Sequence, residues 1–461
     1  MASKRDLVEA NSFNRRRLVT AFVSGAPGGR EVDPQSPARA IVVGIVLAVL
    51  VVGGATLAGV LKPTLPADWG DNSLVVGKAT GARYLAVDEA LYPVVNTTSA
   101  RLLVEAGQFK VVFAPEAELE DKPHGSTIGI LGAPDALPDD ERLIQTGWVS
   151  CLDQRGRTKL TVSSRNTVRR ASGTVAVVVS VRGTTHVVTA GHRYPVEGEL
   201  DRTLLALGLE NETVMRAPGE WADLFPAGPP LHTVQVPEAG EPVPSSWHLP
   251  SEASVYGQVV ELDGGERRFL LRRSGLVPLS AVGFAMYQVS QGDLADPVPV
   301  DQGDVTGVNI AGQNQPYPGQ WPTELPTSLD DTAACAELQA GTPGEAPHVA
   351  LATPRPALPT GDAGADPLPS SSSTLPAVEP GAGALVRSVS GGARGTVVLV
   401  DSSGRRYALG APEEQVRAQL GYGAIEPTTV FPAWLEALEN GPELSPEAAS
   451  HRVPGSVGGA G

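Results

Sequence analysis

One long apolar run near the N-terminus stands out in the pattern of hydrophobic and polar positions. Residues 41–61, twenty-one in all, read IVVGIVLAVLVVGGATLAGVL without a charge, and Arg39 and Lys62 bracket them. As an α-helix this run extends about 32 Å, which matches a hydrocarbon core of about 30 Å. A core helix would show a polar stripe, and a signal peptide would begin nearer residue 1 with a shorter run. The pattern predicts a transmembrane helix over 40–62.

Charges on the two sides of the run predict its orientation. The arm 1–39 holds seven basic residues against four acidic ones, although the whole chain has a net charge of −16. Basic residues stay on the cytoplasmic side, so we expect a cytoplasmic N-terminus and a large acidic body outside the membrane. The residues expected to determine this topology are Arg15, Arg16, Arg17 and Arg39.

Two interpretations of the arm stay open. Its apolar residues recur at roughly helical spacing around the three consecutive arginines, at Leu7, Ala10, Leu18, Ala21 and Phe22. This spacing is typical of an amphipathic helix that rests on anionic headgroups or on a cytoplasmic partner. A disordered tail whose arginines only fix the topology fits the same residues.

Beyond residue 62 the apolar positions form short alternating runs that recur, and such self-similarity predicts repeats. The segment GARYLAVDEALYPV at 81–94 aligns without a gap with GTTHVVTAGHRYPV at 183–196. A third copy, RRFLLRRSGLVPL at 267–279, has Pro278 in the place of the shared proline. The Tyr-Pro pairs that end the first two copies are Tyr92, Pro93, Tyr194 and Pro195.

A fourth copy opens as GRRYALG at Gly404 and then diverges, with Val416 where the proline is expected. The second and fourth copies share a later signature, in which Trp221 and Trp434 are each followed by Gly-Pro and then by Leu. We expect the tryptophans to be local core anchors and the Tyr-Pro positions to form turns and core.

Each repeat is predicted to be a strand, a polar turn, a short apolar segment and an amphipathic stretch. A unit this small buries little surface alone, so its apolar face must pack on a neighbour or a central sheet. The predicted fold class is therefore a single N-terminal transmembrane helix plus an α+β body, with a β-rich central domain and four small α/β repeats. The predicted divisions are the arm 1–39, the transmembrane helix 40–62, a first repeat 63–125, a central domain with the second and third repeats 126–340, a disordered linker 341–385, a fourth repeat 386–450 and a disordered tail 451–461.

The chain has two cysteines, Cys151 and Cys335, with neither a CxxC pair nor metal-ligand spacing. Two buried thiols suit a cytosolic protein, whereas outside the membrane the pair is expected to be joined. The predicted topology favours the disulfide. In the chain-entropy model a bridge over so long a segment contributes roughly 5 kcal/mol, as an upper bound.

Several segments together resemble one family. They are the start MASKRDLVEANSFNRRRLVTAFVSG, the first repeat, GSTIGILGAPDALP at 125–138, and WVSC at 148–151. This combination resembles EccB, the membrane-anchored component of type VII (ESX) secretion systems of actinobacteria. Cys335 falls where the family's partner cysteine lies. The resemblance covers residues 1 to about 340 and 386–450, while the long linker and the fourth repeat without its proline depart from it.

The resemblance implies a place in the inner (plasma) membrane, with one crossing and a periplasmic bulk. It also implies partners of the EccC, EccD and EccE type, self-association into dimers or larger oligomers, and contact with peptidoglycan. Family members are often called ATPases. The net charge of −16 speaks against a nucleic-acid partner, because phosphate binding needs a basic surface.

Two strings imitate catalytic motifs. The nearest match to a P-loop is Gly77-Lys78, but Asn72 stands where the first glycine belongs and Ala79 where Ser or Thr should bind magnesium. The string VTAGH ending at His192 is similar to the histidine segment of trypsin-like proteases, but the nearest serine string, DSSG at 401–404, lacks the flanking glycines. We predict no catalytic, cofactor-binding or metal-binding residue, because the other histidines also lack metal-ligand spacing.

The predicted function is that of a structural membrane component of a type VII secretion machine, which anchors and oligomerises its periplasmic part. Two alternatives belong to other classes of protein. One is a membrane-tethered hydrolase, either an ATPase or a protease, and the other is a stand-alone cell-wall-binding anchor. Enzymatic activity is left open, with ATP hydrolysis disfavoured by the missing P-loop.

Overall fold

The computed structural model describes residues 4–24, 38–60, 65–66, 68–312, 314–329, 333–355, 368–369, 375–390 and 393–454. The chain divides into two compact units, Met1–Thr64 and Leu65–Gly461. The first unit contains α1 (Lys4–Ser24) and α2 (Ala38–Val60). Counted over the described residues, none of the helices combines the length and the apolar character that a membrane crossing requires.

The second unit, called the body below, is rich in short strands, which confirms the predicted β-rich class. In chain order its described strands are β1 (Ser73–Gly77), β2 (Arg83–Val87), β3 (Ala90–Pro93), β4 (Lys110–Ala114), β5 (Trp148–Asp153), β6 (Thr158–Val162), β7 (Val168–Arg170), β8 (Val175–Val181), β9 (Thr184–Thr189), β10 (His192–Pro195), β11 (Met215–Arg216), β12 (Val259–Leu262), β13 (Arg267–Arg272), β14 (Gly275–Pro278), β15 (Val298–Pro299), β16 (Thr327–Ser328), β17 (Ala333–Gln339), β18 (His348–Pro354), β19 (Ala377–Val378), β20 (Ala384–Ser390), β21 (Ala393–Val400), β22 (Arg405–Ala408), β23 (Thr428–Val430) and β24 (Glu439–Asn440). Its helices are α3 (Thr97–Leu102), α4 (Glu116–Glu120), α5 (Leu200–Ala206), α6 (Gly219–Ala222), α7 (Ala281–Gln291), α8 (Glu413–Leu420), α9 (Pro432–Glu436) and α10 (Pro446–Ser450).

Four small sheets share one topology. Each has three consecutive antiparallel strands and a fourth strand that pairs parallel with the first of them. Sheet 1 has the order β3-β2-β1-β4, sheet 2 has β10-β9-β8-β11, and sheet 3 has β14-β13-β12-β15. Sheet 4 has β22-β21-β20-β23, with β24 added beside β22. In each sheet a helix follows the three-stranded part, because a parallel return needs a crossover.

The second hairpin has the same register in sheets 1, 2 and 3. Pro93 lies opposite Tyr84, Pro195 opposite His186, and Pro278 opposite Phe269. In sheet 2 the hairpin turns at Ala190 and Gly191, whose φ angles of 48° and 76° belong to the tight two-residue turn that suits twisted strands. The aligned prolines of the sequence thus occupy equivalent strand positions.

Sheet 4 shows that the expected alignment of the fourth copy is wrong. The sequence alignment set Gly404 against Gly81 and so put Val416 in the proline position. In the structure Tyr407 lies opposite Leu399, as Tyr92 lies opposite Leu85, so Ala408 takes the proline's place. The string GRRY leads into β22, which follows the second hairpin turn of sheet 4, whereas GARY of the first copy leads into β2, which precedes the second hairpin turn of sheet 1. Val416 instead lies buried in α8.

A six-stranded central sheet of order β19-β6-β5-β17-β18-β7 joins two distant parts of the chain. Its strand β18 lies inside 341–385, so this part of the predicted disordered linker is wrong. The alternate residues Val349 and Leu351 point inward and are buried, and this burial offsets the conformational entropy lost when the strand is ordered. Residues 356–367 and 370–374 of the predicted linker lie outside the described residues.

The predicted tail also begins later than expected. Arg452 forms a bridge with Ile128, and the backbone N–H of Val453 donates to the carbonyl of Thr127 at 3.0 Å. The remainder of 451–461 after Pro454 lies outside the described residues.

Three cores show how the sheets combine. One core merges sheets 2 and 3, where Tyr194 and Leu204 pack among residues such as Val259 and Tyr287. A second merges sheets 1 and 4 around Leu102. The third core packs one face of the central sheet against sheets 2 and 4 together. The body therefore consists of two pairs of sheets held by a central one.

Candidate functional site

The predicted Tyr-Pro positions lie on β3 and β10, and beside each of these strands a later segment of the chain runs parallel to it. The rings of Tyr92, Tyr194 and Tyr407 face glycines, namely Gly125, Gly228 and Gly441. A Cβ atom added to these glycines would lie 2.2, 2.2 and 2.3 Å from a ring carbon. Only glycine leaves room for the ring, so tyrosine and glycine form one element. Sequence reasoning missed Tyr407, although the recurring Gly-Pro signature contains two of these glycines.

The prolines of this element use only their carbonyl groups. Ile128 N–H donates to the Pro93 carbonyl at 2.9 Å, and Leu231 N–H donates to that of Pro195 at 2.8 Å. In sheet 4 the carbonyl of Ala408 accepts from Leu444 N–H at 2.8 Å. Proline is tolerated at this outer-strand position because the backbone N–H that it lacks is not needed for a hydrogen bond. Alanine fills the equivalent position in sheet 4.

Trp221 and Trp434 are completely enclosed and link the sheets to each other. The Trp221 indole N–H donates to the carbonyl of Ser150 on the central sheet at 3.0 Å. The Trp434 indole N–H donates to the carbonyl of Leu224, three residues after Trp221, at 3.2 Å. These side chains are 1% and 0% exposed, so both are anchors of the core.

Cys151 and Cys335 are joined by a disulfide between β5 and β17. They lie directly opposite each other, and both are fully buried. The bridge lies on the central-sheet face opposite the tryptophans, among Val149, Val168 and Ala352. It closes a segment that contains sheets 2 and 3.

Two polar clefts open beside this disulfide face. One, of about 390 Å³, is lined by residues that include Thr146, Ser164, Arg165, Asn166, Arg170 and Glu337. Within it Arg170 Nε donates to Glu337 Oε2 at 2.6 Å. The other, of about 350 Å³, shares Thr146 and Ser164 and adds Arg142 and Glu379. The charged side chains of Arg142 and Glu379 in this second cleft already have hydrogen-bond partners within the chain. Glu379 accepts from Ser164, and Arg142 donates to the Pro380 carbonyl.

The turn that imitates a P-loop already holds an anion from the protein. Glu116 Oε1 accepts hydrogen bonds from the backbone N–H groups of Ala79 and Thr80, each at 2.8 Å. Hydrogen bonding, above all from Thr80 N–H, lowers the pKa of Glu116 and keeps it ionised. The carboxylate occupies the N–H groups that would cradle a phosphate, and its charge repels one.

His192 lies exposed at the second hairpin turn of sheet 2, where its ring nitrogen can donate to a backbone carbonyl two residues away. Its Nδ1 lies 3.0 Å from the carbonyl oxygen of Ala190, and its ring lies 6.1 Å from that of Tyr194. The Asp401-Ser402-Ser403-Gly404 string forms the second hairpin turn of sheet 4, where Ser403 donates to Asp401 at 2.6 Å. Over the described residues no group of His, Cys, Asp and Glu side chains could hold a metal ion.

The residues expected to set the topology fall in the first unit. Arg15, Arg16 and Arg17 are exposed along α1, and Arg39 lies in α2. The helix α1 covers residues 4–24 of the arm that was interpreted either as an amphipathic helix or as a disordered tail, and its apolar residues Leu18 and Phe22 are exposed as well.

A family model described as "Type VII secretion system ESX-1, transport TM domain B" (EccB) matches residues 1–455. The chain belongs to the EccB family. Its resemblance to a Mycobacterium tuberculosis relative named "ESX-2 secretion system ATPase EccB2" amounts to 29% identity, over 97% of this chain and 94% of the relative. The M. tuberculosis "ESX-1 secretion system ATPase EccB1" is 27% identical over 73% of this chain and 72% of its own length.

Solved EccB structures share the fold. A chain in the intact ESX-5 inner membrane complex superposes with a TM-score of 0.64 at 21% identity, covering 100% of this chain and 98% of that one. The EccB3 dimer from the ESX-3 core complex gives a TM-score of 0.64 at 21% identity, over 82% of this chain and 100% of that chain. The mixed-sheet architecture is thus that of the EccB family.

Proposed function

We propose that this chain is a structural component of a type VII (ESX) protein secretion machine in the inner membrane, where it anchors and oligomerises the part of the machine outside the cytoplasm. The observation that carries the proposal is the family match over residues 1–455. The conspicuous side chains of the body contact other parts of the same body, which is consistent with a structural role. Trp221, Trp434 and the disulfide all stabilise packing between sheets.

The proposed topology has one membrane crossing over 40–62, a cytoplasmic N-terminus and a periplasmic body. It is supported by the uncharged run 41–61 and by the basic excess of the arm. The disulfide supports an oxidising compartment for the body. Protease added to intact, wall-stripped cells should digest the body and leave the arm. Protection of the body until the cells are lysed would contradict this topology.

We also propose that the four small sheets are copies of one α/β repeat. The common strand path and the tyrosine–glycine contact in three of the sheets support this. A repeat of this kind offers several similar surfaces, which suits a protein that assembles with itself and with EccC-, EccD- and EccE-like components.

The test is affinity purification of the tagged full-length chain from its own cells in mild detergent. The expected result is elution in a large complex that contains the EccC-, EccD- and EccE-like membrane components. An unrelated single-pass protein with the same tag is the control. Elution as a lone monomer would contradict the proposal, and elution with peptidoglycan alone would identify a stand-alone cell-wall anchor.

The hydrolase alternative has its own test. Turnover of ATP or peptide by the purified chain, abolished by Lys78→Ala or His192→Ala respectively, would support it. Glu116→Gln is a matched variant for ATP, since removing the internal anion should raise nucleotide affinity if the 77–80 turn binds phosphate at all. We expect no dependence of any turnover on these three residues.

A further inference from the structure

Strand β4 leaves one edge of sheet 1 open. Its register with β1 extends over five residue pairs, and β1 is the strand paired with it among the described residues. Val111 and Phe113 of β4 are 49% and 59% exposed. They point to the same face of the sheet, because alternate residues of a strand share a face. An exposed edge strand with apolar side chains is a template for pairing with another strand.

The backbone groups of these same two residues face outward. Lys110 N–H donates to the Asn72 carbonyl, and the Ala114 carbonyl accepts from Lys78 N–H. In a parallel ladder the residues that bond the neighbouring strand alternate with residues that face away. Lys110, Val112 and Ala114 therefore bond β1, and the N–H and C=O groups of Val111 and Phe113 are directed to the open edge.

The equivalent strands of the other sheets are protected. In sheet 4 both N–H and C=O of Thr429 on β23 bond Gly341 of the central region. In sheet 3, β15 consists of two residues and ends in Pro299, which has no N–H to offer. In sheet 2, β11 is also two residues long, and the carbonyl of Arg216 lies against the turn at Gly156. Of these four equivalent strands, β4 is the longest and the least covered.

We propose that β4 pairs antiparallel with β4 of a second copy of this chain, about a two-fold axis at Val112. In this register Val111 lies opposite Phe113 of the other copy and exchanges two backbone hydrogen bonds with it, and the symmetry repeats the pair. All four outward N–H and C=O pairs are thereby satisfied. The two valines and two phenylalanines form one apolar cluster on a single face.

Self-complementarity singles out a second copy as the occupant, because the same five residues supply both halves of the antiparallel pair. The solved EccB3 relative forms a dimer, which is consistent with an occupant of this kind. Lys110 at the start of β4 is ion-paired with Asp68 of its own chain at 2.6 Å, so the strand does not present this lysine as an unpaired positive charge to the second copy.

A five-residue strand pair is small compared with the roughly 1,600 Å² of a stable interface, so it depends on other contacts that hold the copies together. The inference therefore rests on the proposed assembly into a secretion complex. It adds to that proposal the surface and the register of one contact between copies.

The experiment is disulfide trapping of the full-length chain in intact cells. Val112 of one copy lies directly opposite Val112 of the other, the arrangement in which Cys151 and Cys335 are bridged within the chain. Oxidation of Val112→Cys should give a reducible homodimer as the main product. Val214→Cys, at a 42% exposed position before β11, is the control and should give at least tenfold less dimer. Mixed copies carrying Val111→Cys and Phe113→Cys should trap each other better than Val111→Cys traps itself.

The double variant Val111→Lys/Phe113→Lys in the Val112→Cys background should lower trapping at least tenfold, since charges on an edge strand oppose pairing. Val214→Lys should leave it unchanged. Retention of the Cys151–Cys335 disulfide in each variant reports a folded body. A Val112→Cys chain that stays reduced, or that is trapped on a different protein, overturns the proposal. Loss of the β4 pairing while the chain still purifies with membrane partners leaves the proposed function standing, and loss of both contradicts both.

Discussion

Sheets 2 and 3 and sheets 1 and 4 form two halves of the body that are built alike and closed differently. In the first half α5 packs on α7, and in the second α3 packs on α8. The first half is continuous in sequence, because its sheets span 175–328. The second joins the two ends of the body, 73–130 and 384–450.

The two halves also differ in what supports them. Trp221 of the first half bonds the central sheet, whereas Trp434 of the second half bonds Leu224, which belongs to the first. The second half is thus attached partly through the first. Closing a pair of sheets over about 300 residues costs little more chain entropy than closing it over 100, since the cost grows only with the logarithm of loop length. The same packing is therefore available to local and to distant copies.

Removing the disulfide is the strongest test of this difference. The loop that it closes, with a sequence separation of 184, holds the first half and leaves the second outside. We expect Cys151→Ala/Cys335→Ala to lower the free energy of unfolding by up to roughly 5 kcal/mol. Denaturant titration measures the loss. Hydrogen exchange should show greater loss of protection in β8 and β12 than in β1, and uniform loss would mean that the halves do not unfold separately.

Truncating the tryptophans tests the dependence of one half on the other. Trp221→Ala and Trp434→Ala should each cost about 3–5 kcal/mol in free energy of unfolding, because each leaves a large cavity and an unpaired carbonyl. Trp221→Ala should loosen both halves, as followed by hydrogen exchange, and Trp434→Ala mainly the second. The double variant should cost less than the sum, and strict additivity would show that the two anchors act independently.

Substituting the glycines tests whether the halves contain equivalent elements. Gly228→Ala and Gly441→Ala place a methyl group against the buried rings of Tyr194 and Tyr407, one in each half. Overpacking of this kind costs about 1–3 kcal/mol in unfolding free energy. Gly125→Ala should cost less, since Tyr92 is only half-buried and its ring has room to move. Gly303→Ala, where an added Cβ would have no neighbour within 4 Å and φ is not in the left-handed region, controls for the loss of glycine's backbone freedom without overpacking.

Much of this architecture follows from sequence, because short-range patterns determine hairpins. The aligned prolines Pro93, Pro195 and Pro278 predict three equivalent strand positions, and the predicted compartment outside the membrane favours the disulfide. The alignment of the fourth copy is wrong because the string GRRY, which leads into the third strand of sheet 4, resembles GARY, which leads into the second strand of sheet 1. Strand β18 was missed because Pro, Gly and Ala dominate its flanks, although its own alternation is apolar.

The pairing of sheets and the open edge at β4 were beyond sequence reasoning. Which helix packs on which depends on contacts between residues far apart in the chain, such as the hydrogen bond from Tyr422 to the carbonyl of Pro138. Exposure of Val111 and Phe113 likewise depends on what lies beside β4 in space. From the apolar run in the sequence of β4 alone, both side chains would be assigned to a hydrophobic core.

The smallest effect expected concerns single hydroxyl groups in the two halves. Tyr422 donates to the Pro138 carbonyl at 2.6 Å and joins sheet 4 to the segment after sheet 1, whereas Tyr194 donates to the Gln320 carbonyl at 3.2 Å beside sheets 2 and 3. Tyr422→Phe should cost about 1–2 kcal/mol in unfolding free energy, and Tyr194→Phe about 1 kcal/mol or less, because the Pro138 carbonyl is left buried without a donor.

Alkaline unfolding compares how strongly burial disfavours ionisation of the two phenols. Burial raises the pKa of both Tyr422 and Tyr194 above the ordinary value of about 10. The stability that depends on the neutral phenols is complete below pH 10 and is lost as the pH rises through the raised values in the folded state. Tyr422→Phe should flatten this decline more than Tyr194→Phe does. An equal pH dependence of the two variants would mean that the phenol of Tyr422 is no more strongly buried in the folded state than that of Tyr194.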